Sequence, residues 1–388
     1  MLKINETIYQ NINIALLSTF VVGLFFSNAV LSISTLLFFA WVITKKFNEI
    51  YLKENLPLGF LLLFMVYLFG AFWKTNNILD SLQTIISKIS LLGFAFIYSI
   101  KIISNQQKKI LFNLILFFLI GISFYTIIQY FSDKNYWNNL YSKGQVLPTF
   151  MHHVKFSLLI VLSINILTYT NIINNKFKNI IILYFIIYLH ILAVKSGLLI
   201  LYISIIIYII QKIYYKKYQY IIILLFPVIG YLFSTNLQNK INYLKYDIQQ
   251  LHQENVLDYS DARRIVSFQI AWNIFKENKL LGVGLTNIKK ETENKYNAIY
   301  KYFDASKMMY VHNSYLQILV STGVVGFILF TFSIIIILKE YWINNKLLFI
   351  LNSLFLMVCF WDALTEQLVG LSIFILIQIL GKQENLKQ

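Results

Sequence analysis

The chain has 388 residues, of which 58% are hydrophobic and only 13% charged, well above the roughly 45–50% apolar content of a water-soluble domain. That composition excludes a globular domain folded against water. The formal net charge of +16 does not indicate nucleic acid, because the lysines fall mostly in short connections between apolar runs, the pattern of membrane topology.

Apolar segments near the length required by a ~30 Å hydrocarbon layer cover residues 8–26, 28–44, 58–73, 82–100, 110–131, 154–173, 179–194, 196–211, 219–235, 313–338, 347–361 and 366–381. They predict an all-α integral membrane protein of about twelve spanning helices with one large outer loop containing amphipathic helices. The first segment lacks a small-residue cleavage site and reads as a retained helix, not a signal peptide. Residues 1–235 then hold the first nine spans, 236–311 the loop, and 312–388 the last three.

Lys3, Lys45, Lys46, Lys53, Lys101, Lys108, Lys109, Lys176, Lys178, Lys212, Lys216, Lys217, Lys339, Lys346, Lys382 and Lys387 fall at the ends and in alternate connections. The opposite connections and their helix ends hold only Lys74, Lys88, Lys134, Lys143, Lys155 and Lys195. The positive-inside rule therefore places both termini in the cytoplasm and the loop on the outer side of the membrane. The loop's own basic residues do not oppose this, since long loops translocate largely regardless of charge.

Along the spans, Lys88 is expected to snorkel outward from the fourth. His152-His153 open the sixth and either line the site or mark the interface, with no carboxylate cluster that would make a metal site of them. Lys195 sits at the outer end of a span, where a cation needs water, lipid phosphate or a partner. Cys359, the single cysteine, lies in an apolar run and reads as a packing residue.

Within the loop, Asn239 to Asn255 is polar and suits the membrane surface. Ser260 offers an N-cap, Asp261 suits the positive end of a helix dipole, and Ile265, Phe268, Trp272 and Phe275 recur at helical spacing, so an amphipathic helix is predicted from Ser260 to near Asn278. Gly282-Val283-Gly284 supplies a tight exit turn, and the following stretch looks disordered. No GxGxxG, Walker or HExxH sequence occurs, so nucleotide-sugar and metalloprotease chemistry have no support.

Asp261-Ala262-Arg263-Arg264, Ala271-Trp272, Leu281-Gly282-Val283-Gly284 and His312-Asn313-Ser314-Tyr315-Leu316 with Gly323 and Gly326 follow one another in order. Together they resemble the O-antigen ligase family, most densely over residues 261–330. Two positions depart from its pattern. Lys279-Leu280 stands where the family usually has proline before the GVG turn, and Lys195-Ser196 stands where it often has a Ser-Arg pair. The resemblance implies an inverting glycosyltransferase that needs neither metal nor cofactor and acts at the periplasmic face. Its donor would be an undecaprenyl-diphosphate-linked glycan and its favoured acceptor lipid A core or another glycan, with membrane lipids around it and no nucleic acid.

Such transfer requires the leaving diphosphate to be neutralised and the acceptor hydroxyl to be deprotonated. Arg263 and Arg264, in the first turn of the loop helix, are the candidate diphosphate clamp, because guanidinium forks pair with phosphate oxygens. Lys195 is a third candidate, although lysine is a point charge without that bidentate grip. His312 is the candidate base, and Asn313 and Glu366 are possible supporting residues, a carboxylate near an imidazole serving to orient it. Tyr315, Leu316, Gly323 and Gly326 read as packing residues that admit a neighbouring span. An O-antigen or polysaccharide polymerase using the same donor is the nearest alternative. A lipid-linked glycan flippase or other transporter is the alternative from a different class, but it would place functional charges deep in several helices instead of at one interface.

Overall fold

The computed structural model describes residues 6–46, 55–75, 77–99, 103–250, 260–300 and 307–381. Lys3, Lys53, Lys101, Lys382, Lys387 and the polar stretch 251–255 lie outside the described residues. All regular structure among the described residues is helical. This is the expected result for apolar segments, because a helix pairs its own backbone donors and acceptors where lipid offers none.

The chain forms two compact units, one built from residues up to Ile115 with Arg263–Asn352 and Cys359 onward, the other from Leu116–Ala262 with Ser353–Val358. The first holds α1 (Glu6–Phe26), α2 (Asn28–Lys46), α3 (Asn55–Phe72) and α4 (Ile78–Ser99), and α5 (Asn105–Ser132) continues into the second. The second holds α6 (Lys134–Ser142), α7 (His153–Tyr169), α8 (Asn175–Leu192), α9 (Lys195–Tyr214), a 3-10 segment Tyr218–Leu225 running into α10 (Phe226–Phe233), and α11 (Thr235–Gln249). The chain returns to the first unit within α12 (Ser260–Glu277), and α13 (Ile288–Ile299), α14 (Ser314–Asn344), α15 (Lys346–Val358) and α16 (Leu368–Gly381) follow.

Five described helices are long and apolar enough to cross a membrane: Ile8–Phe26, Asn105–Ser132, Asn175–Leu192, Lys195–Tyr214 and Ser314–Asn344. The segment expected as a straight span over 219–235 is instead the 3-10 run and α10, followed by an 82° turn into α11. In the second unit α7 is buried continuously from Val154 to Leu167, as befits a helix apolar all round. It packs on α9, where a Cβ at Gly197 would collide with the Ser157 side chain. In the first unit α3 packs against both α4 and α14. A buried polar group links α14, α15 and α16: Tyr341 Oη donates to Gln378 Oε1 at 2.6 Å and Gln378 Nε2 to Asn352 Oδ1 at 2.6 Å.

Helix α14 is broken at Gly323, whose φ of 65° and ψ of −166° interrupt the spiral. The break removes the bonds that Val324 N and Val325 N would make to Val320 O and Ser321 O. The loop after α12 restores all four groups. Val283 N donates to Val320 O at 3.0 Å and Gly284 N to Ser321 O at 2.8 Å, while Val324 N donates to Lys279 O at 2.9 Å and Val325 N to Leu280 O at 3.3 Å. The end of α3 closes over the same loop, with Leu285 N bonded to Gly70 O at 2.7 Å and Trp73 Nε1 to Gly282 O at 3.2 Å. The two glycine motifs, expected to act separately as an exit turn and a helix-packing site, therefore form one junction. Only the carbonyls of Lys279 and Leu280 enter it, so the absent proline costs it no bond.

Candidate functional site

The N-terminus of α12 is capped from a distance. Ser260 was expected as its cap, but Ser260 lies in the first turn, and the buried carboxylate of Asp247 on α11 does the capping: it accepts from Asp261 N at 2.8 Å, Ala262 N at 3.0 Å and Ser260 Oγ at 3.4 Å. A carboxylate held by helix N–H groups is a stronger cap than a hydroxyl. Lys195, at the start of α9, forms an ion pair with Asp261, so the predicted cation is joined to the turn that precedes Arg263 and Arg264. The buried face of α12 is the stripe Ala262, Val266, Ile270 and Ile274. The stripe read from the sequence is the outer one, and its Trp272 is 44% exposed. Both stripes are apolar, and the one with the smaller side chains packs closer.

Lys240 of α11 joins the same cluster in the second unit, donating to Gly144 O. Burial holds its ammonium down at about 8, aided by Lys195 and opposed by Asp261 and Asp247. Between pH 8 and the ordinary lysine value of 10.5, the unfolded chain holds a proton that the folded chain has lost, so this group makes stability rise with pH across that window and penalises the folded state fully below it. Wild-type protein is accordingly expected to gain thermal stability relative to Lys240→Met as pH is raised from 7 to 10. A constant gap between the two melting curves would contradict the assignment.

In the first unit, α13 occupies the stretch expected to be disordered, because Ile288, Thr292 and Tyr296 fall on one face and are buried. Tyr296 Oη donates to Met309 O at 3.1 Å, and Tyr310 Oη to Glu293 Oε1 at 2.9 Å, fixing the segment that leads into α14. Burial pushes the Tyr296 phenol up to about 12, and the Arg263 guanidinium lies close enough to pull against that rise. Arg263 and the backbone just ahead of His312 thus share Tyr296 as a neighbour. The Arg263 Nε is buried and makes no hydrogen bond to a described residue.

His312 Nδ1 is 2.8 Å from Tyr310 O. A carbonyl only accepts, so Nδ1 donates to it, and in the neutral ring that tautomer leaves the lone pair on Nε2. Asn313 is the N-cap of α14, accepting from Leu316 N at 3.0 Å, a structural use of its amide. Ser314 N donates to Cys359 O at 2.9 Å, and Ser314 Oγ donates to Asp362 O at 3.2 Å and accepts from Thr365 N at 3.4 Å. Glu366 forms an ion pair with Lys88 at 3.3 Å. Asp247 and Tyr296 carried no signal by themselves, since each gains its meaning from a partner elsewhere in the sequence.

Residues 180–331 match the family model described as O-antigen ligase. No curated protein matches the chain. The matched range contains Lys195, Arg263, Arg264, His312, Asn313 and the α14 break, and it leaves out Lys88 and Glu366. The apolar helices and this match together identify a membrane protein, with a ligase-like or polymerase-like activity indicated.

Proposed function

We propose that this protein is a glycosyltransferase of the bacterial inner membrane that moves a glycan from an undecaprenyl-diphosphate carrier to an acceptor, favoured to be lipid A core, at the periplasmic face. About twelve spans, cytoplasmic termini and a periplasmic loop complete the reading. His312 Nε2 takes the proton of the acceptor hydroxyl as its oxygen attacks the anomeric carbon from the side opposite the diphosphate. The carbon–oxygen bond to the diphosphate breaks with inversion, and the bonding pair leaves on undecaprenyl diphosphate, whose charge Arg263 and Arg264 neutralise. Lys195, which pairs with Asp261, is held as a third candidate cation. The observation that supports this most is the 2.8 Å contact of His312 Nδ1 with Tyr310 O, because a neutral ring that donates to a backbone carbonyl from one nitrogen keeps the other as an acceptor.

The test is transfer in vesicles by purified protein given a lipid-diphosphate glycan with either lipid A core or a second lipid-linked repeat unit. Product on lipid A core, with Arg263→Ala raising the donor KM, is the expected result. Chain growth on the carrier alone would replace the ligase reading with a polymerase, and unaltered kinetics in Arg263→Ala and Arg264→Ala would remove the clamp.

A further inference from the structure

Lys88 lies within α4 and is 1% exposed, so it does not snorkel outward as its position suggested. A cation inside a membrane-spanning bundle is costly and is retained where it has a task and named partners. Among the described residues Lys88 has three, all in its own unit. Its ammonium donates to Thr365 O at 2.7 Å, pairs with Glu366 Oε2 at 3.3 Å, and stands over the Tyr67 ring 4.9 Å from its centroid. Thr365 and Glu366 belong to the 3-10 turn Leu364–Glu366 that precedes α16.

That turn is held from the other side by the first turn of α14. Thr365 is gripped at both of its backbone groups, its carbonyl by Lys88 and its N–H by Ser314 Oγ at 3.4 Å. Ser314 is also tied to Cys359 O and Asp362 O, and it sits two residues after His312. A continuous chain of bonds therefore runs from Lys88 through Thr365 and Ser314 to the segment that carries the imidazole.

We propose that Lys88 is a positioning residue for glycosyl transfer: by clamping the Thr365–Glu366 turn against the start of α14, it fixes where His312 Nε2 points. This rests on the reading of His312 as the base. Glu366 is the counter-ion that makes a buried ammonium tolerable: its Oε2 pairs with Lys88, and its Oε1 is buried without a hydrogen bond to a described residue. A base displaced by about 1 Å loses on the order of 100-fold in rate with little change in ground-state binding, so the signature is a fall in kcat at constant KM.

Lys88→Met alone strands a buried carboxylate, so the informative variants are Lys88→Met/Glu366→Leu, which removes both charges, and Lys88→Arg, which keeps the charge and the donors. The double variant is expected to melt within a few degrees of wild type, with kcat at least tenfold down and donor KM unchanged. Lys88→Arg should retain a higher kcat than the double variant. Wild-type kcat in the double variant, or Lys88→Arg no faster than it while melting like wild type, overturns the proposal and leaves the pair a purely structural bond. His312→Ala in the same assay separates the two levels. Its turnover at the wild-type rate would remove the base itself, whereas its inactivity beside a fully active double variant would remove only the role of Lys88.

Discussion

His312→Ala is expected to lower the rate of glycan transfer by roughly 10²–10⁴-fold, the usual contribution of a positioned general base, while leaving the folded protein almost as stable as before. Among the described residues the imidazole makes one hydrogen bond, from Nδ1 to Tyr310 O at 2.8 Å, and a bond of this kind contributes about 0.5–1.5 kcal/mol. Neighbouring groups hold the segment without it: Tyr296 at Met309, Glu293 at Tyr310, the Asn313 cap and the three bonds of Ser314. His312→Asn sharpens the comparison, since its amide N–H suits the Tyr310 carbonyl but nothing replaces the Nε2 lone pair. Initial transfer rates at saturating donor are the measurement. Either variant within threefold of wild type would show that the proton goes elsewhere.

Gly282→Val is expected to abolish recovery of folded protein. Gly282 has φ of 68°, a region that is a genuine outlier for a β-branched residue and costs an L-residue about 1–2 kcal/mol. A Cβ there would also meet the backbone of Ser321 and Val320 O. Neither strand of the junction is able to retreat without breaking the four bonds that mend α14, and each buried backbone group left unpaired costs about 1–3 kcal/mol. The sum exceeds about 4 kcal/mol on these figures, a large part of a typical stability of roughly 5–15 kcal/mol. Leu280→Ala is the contrasting case: the Leu280 side chain is 72% exposed and only its carbonyl is used, so a change within about 0.5 kcal/mol is expected. Detergent-solubilised yield and melting temperature report both, and a Gly282→Val protein melting like wild type would contradict the junction.

Helices were the most legible feature, because apolar runs in lipid have few other ways to pair their backbone. Arg263, Arg264 and His312 stand out in the sequence through their order with the glycine motifs, as the candidates on which the proposed function rests. What those motifs do together was not. Gly282 and Gly323 read singly as a turn and as a packing gap, and nothing local reveals that Val283 and Gly284 donate the bonds that Val324 and Val325 would have supplied. The cap of α12 was misread for a similar reason: Ser260 has the right residue type, but Asp247 brings two carboxylate oxygens to adjacent N–H groups. The packing face of α12 was ambiguous because Val266, Ile270 and Ile274 form a second apolar stripe beside the one containing Trp272. Lys88 was misplaced because its partners, Thr365 and Glu366, lie at the far end of the chain.

The most direct test of the whole account follows the carrier. With a polyprenyl-diphosphate-linked glycan and an acceptor in vesicles containing the purified protein, glycan arriving on the acceptor should be matched mole for mole by free polyprenyl diphosphate, and both should vanish in His312→Ala. Glycan found on the opposite leaflet still joined to its carrier, with no diphosphate released, would identify a transporter and contradict glycosyl transfer at His312.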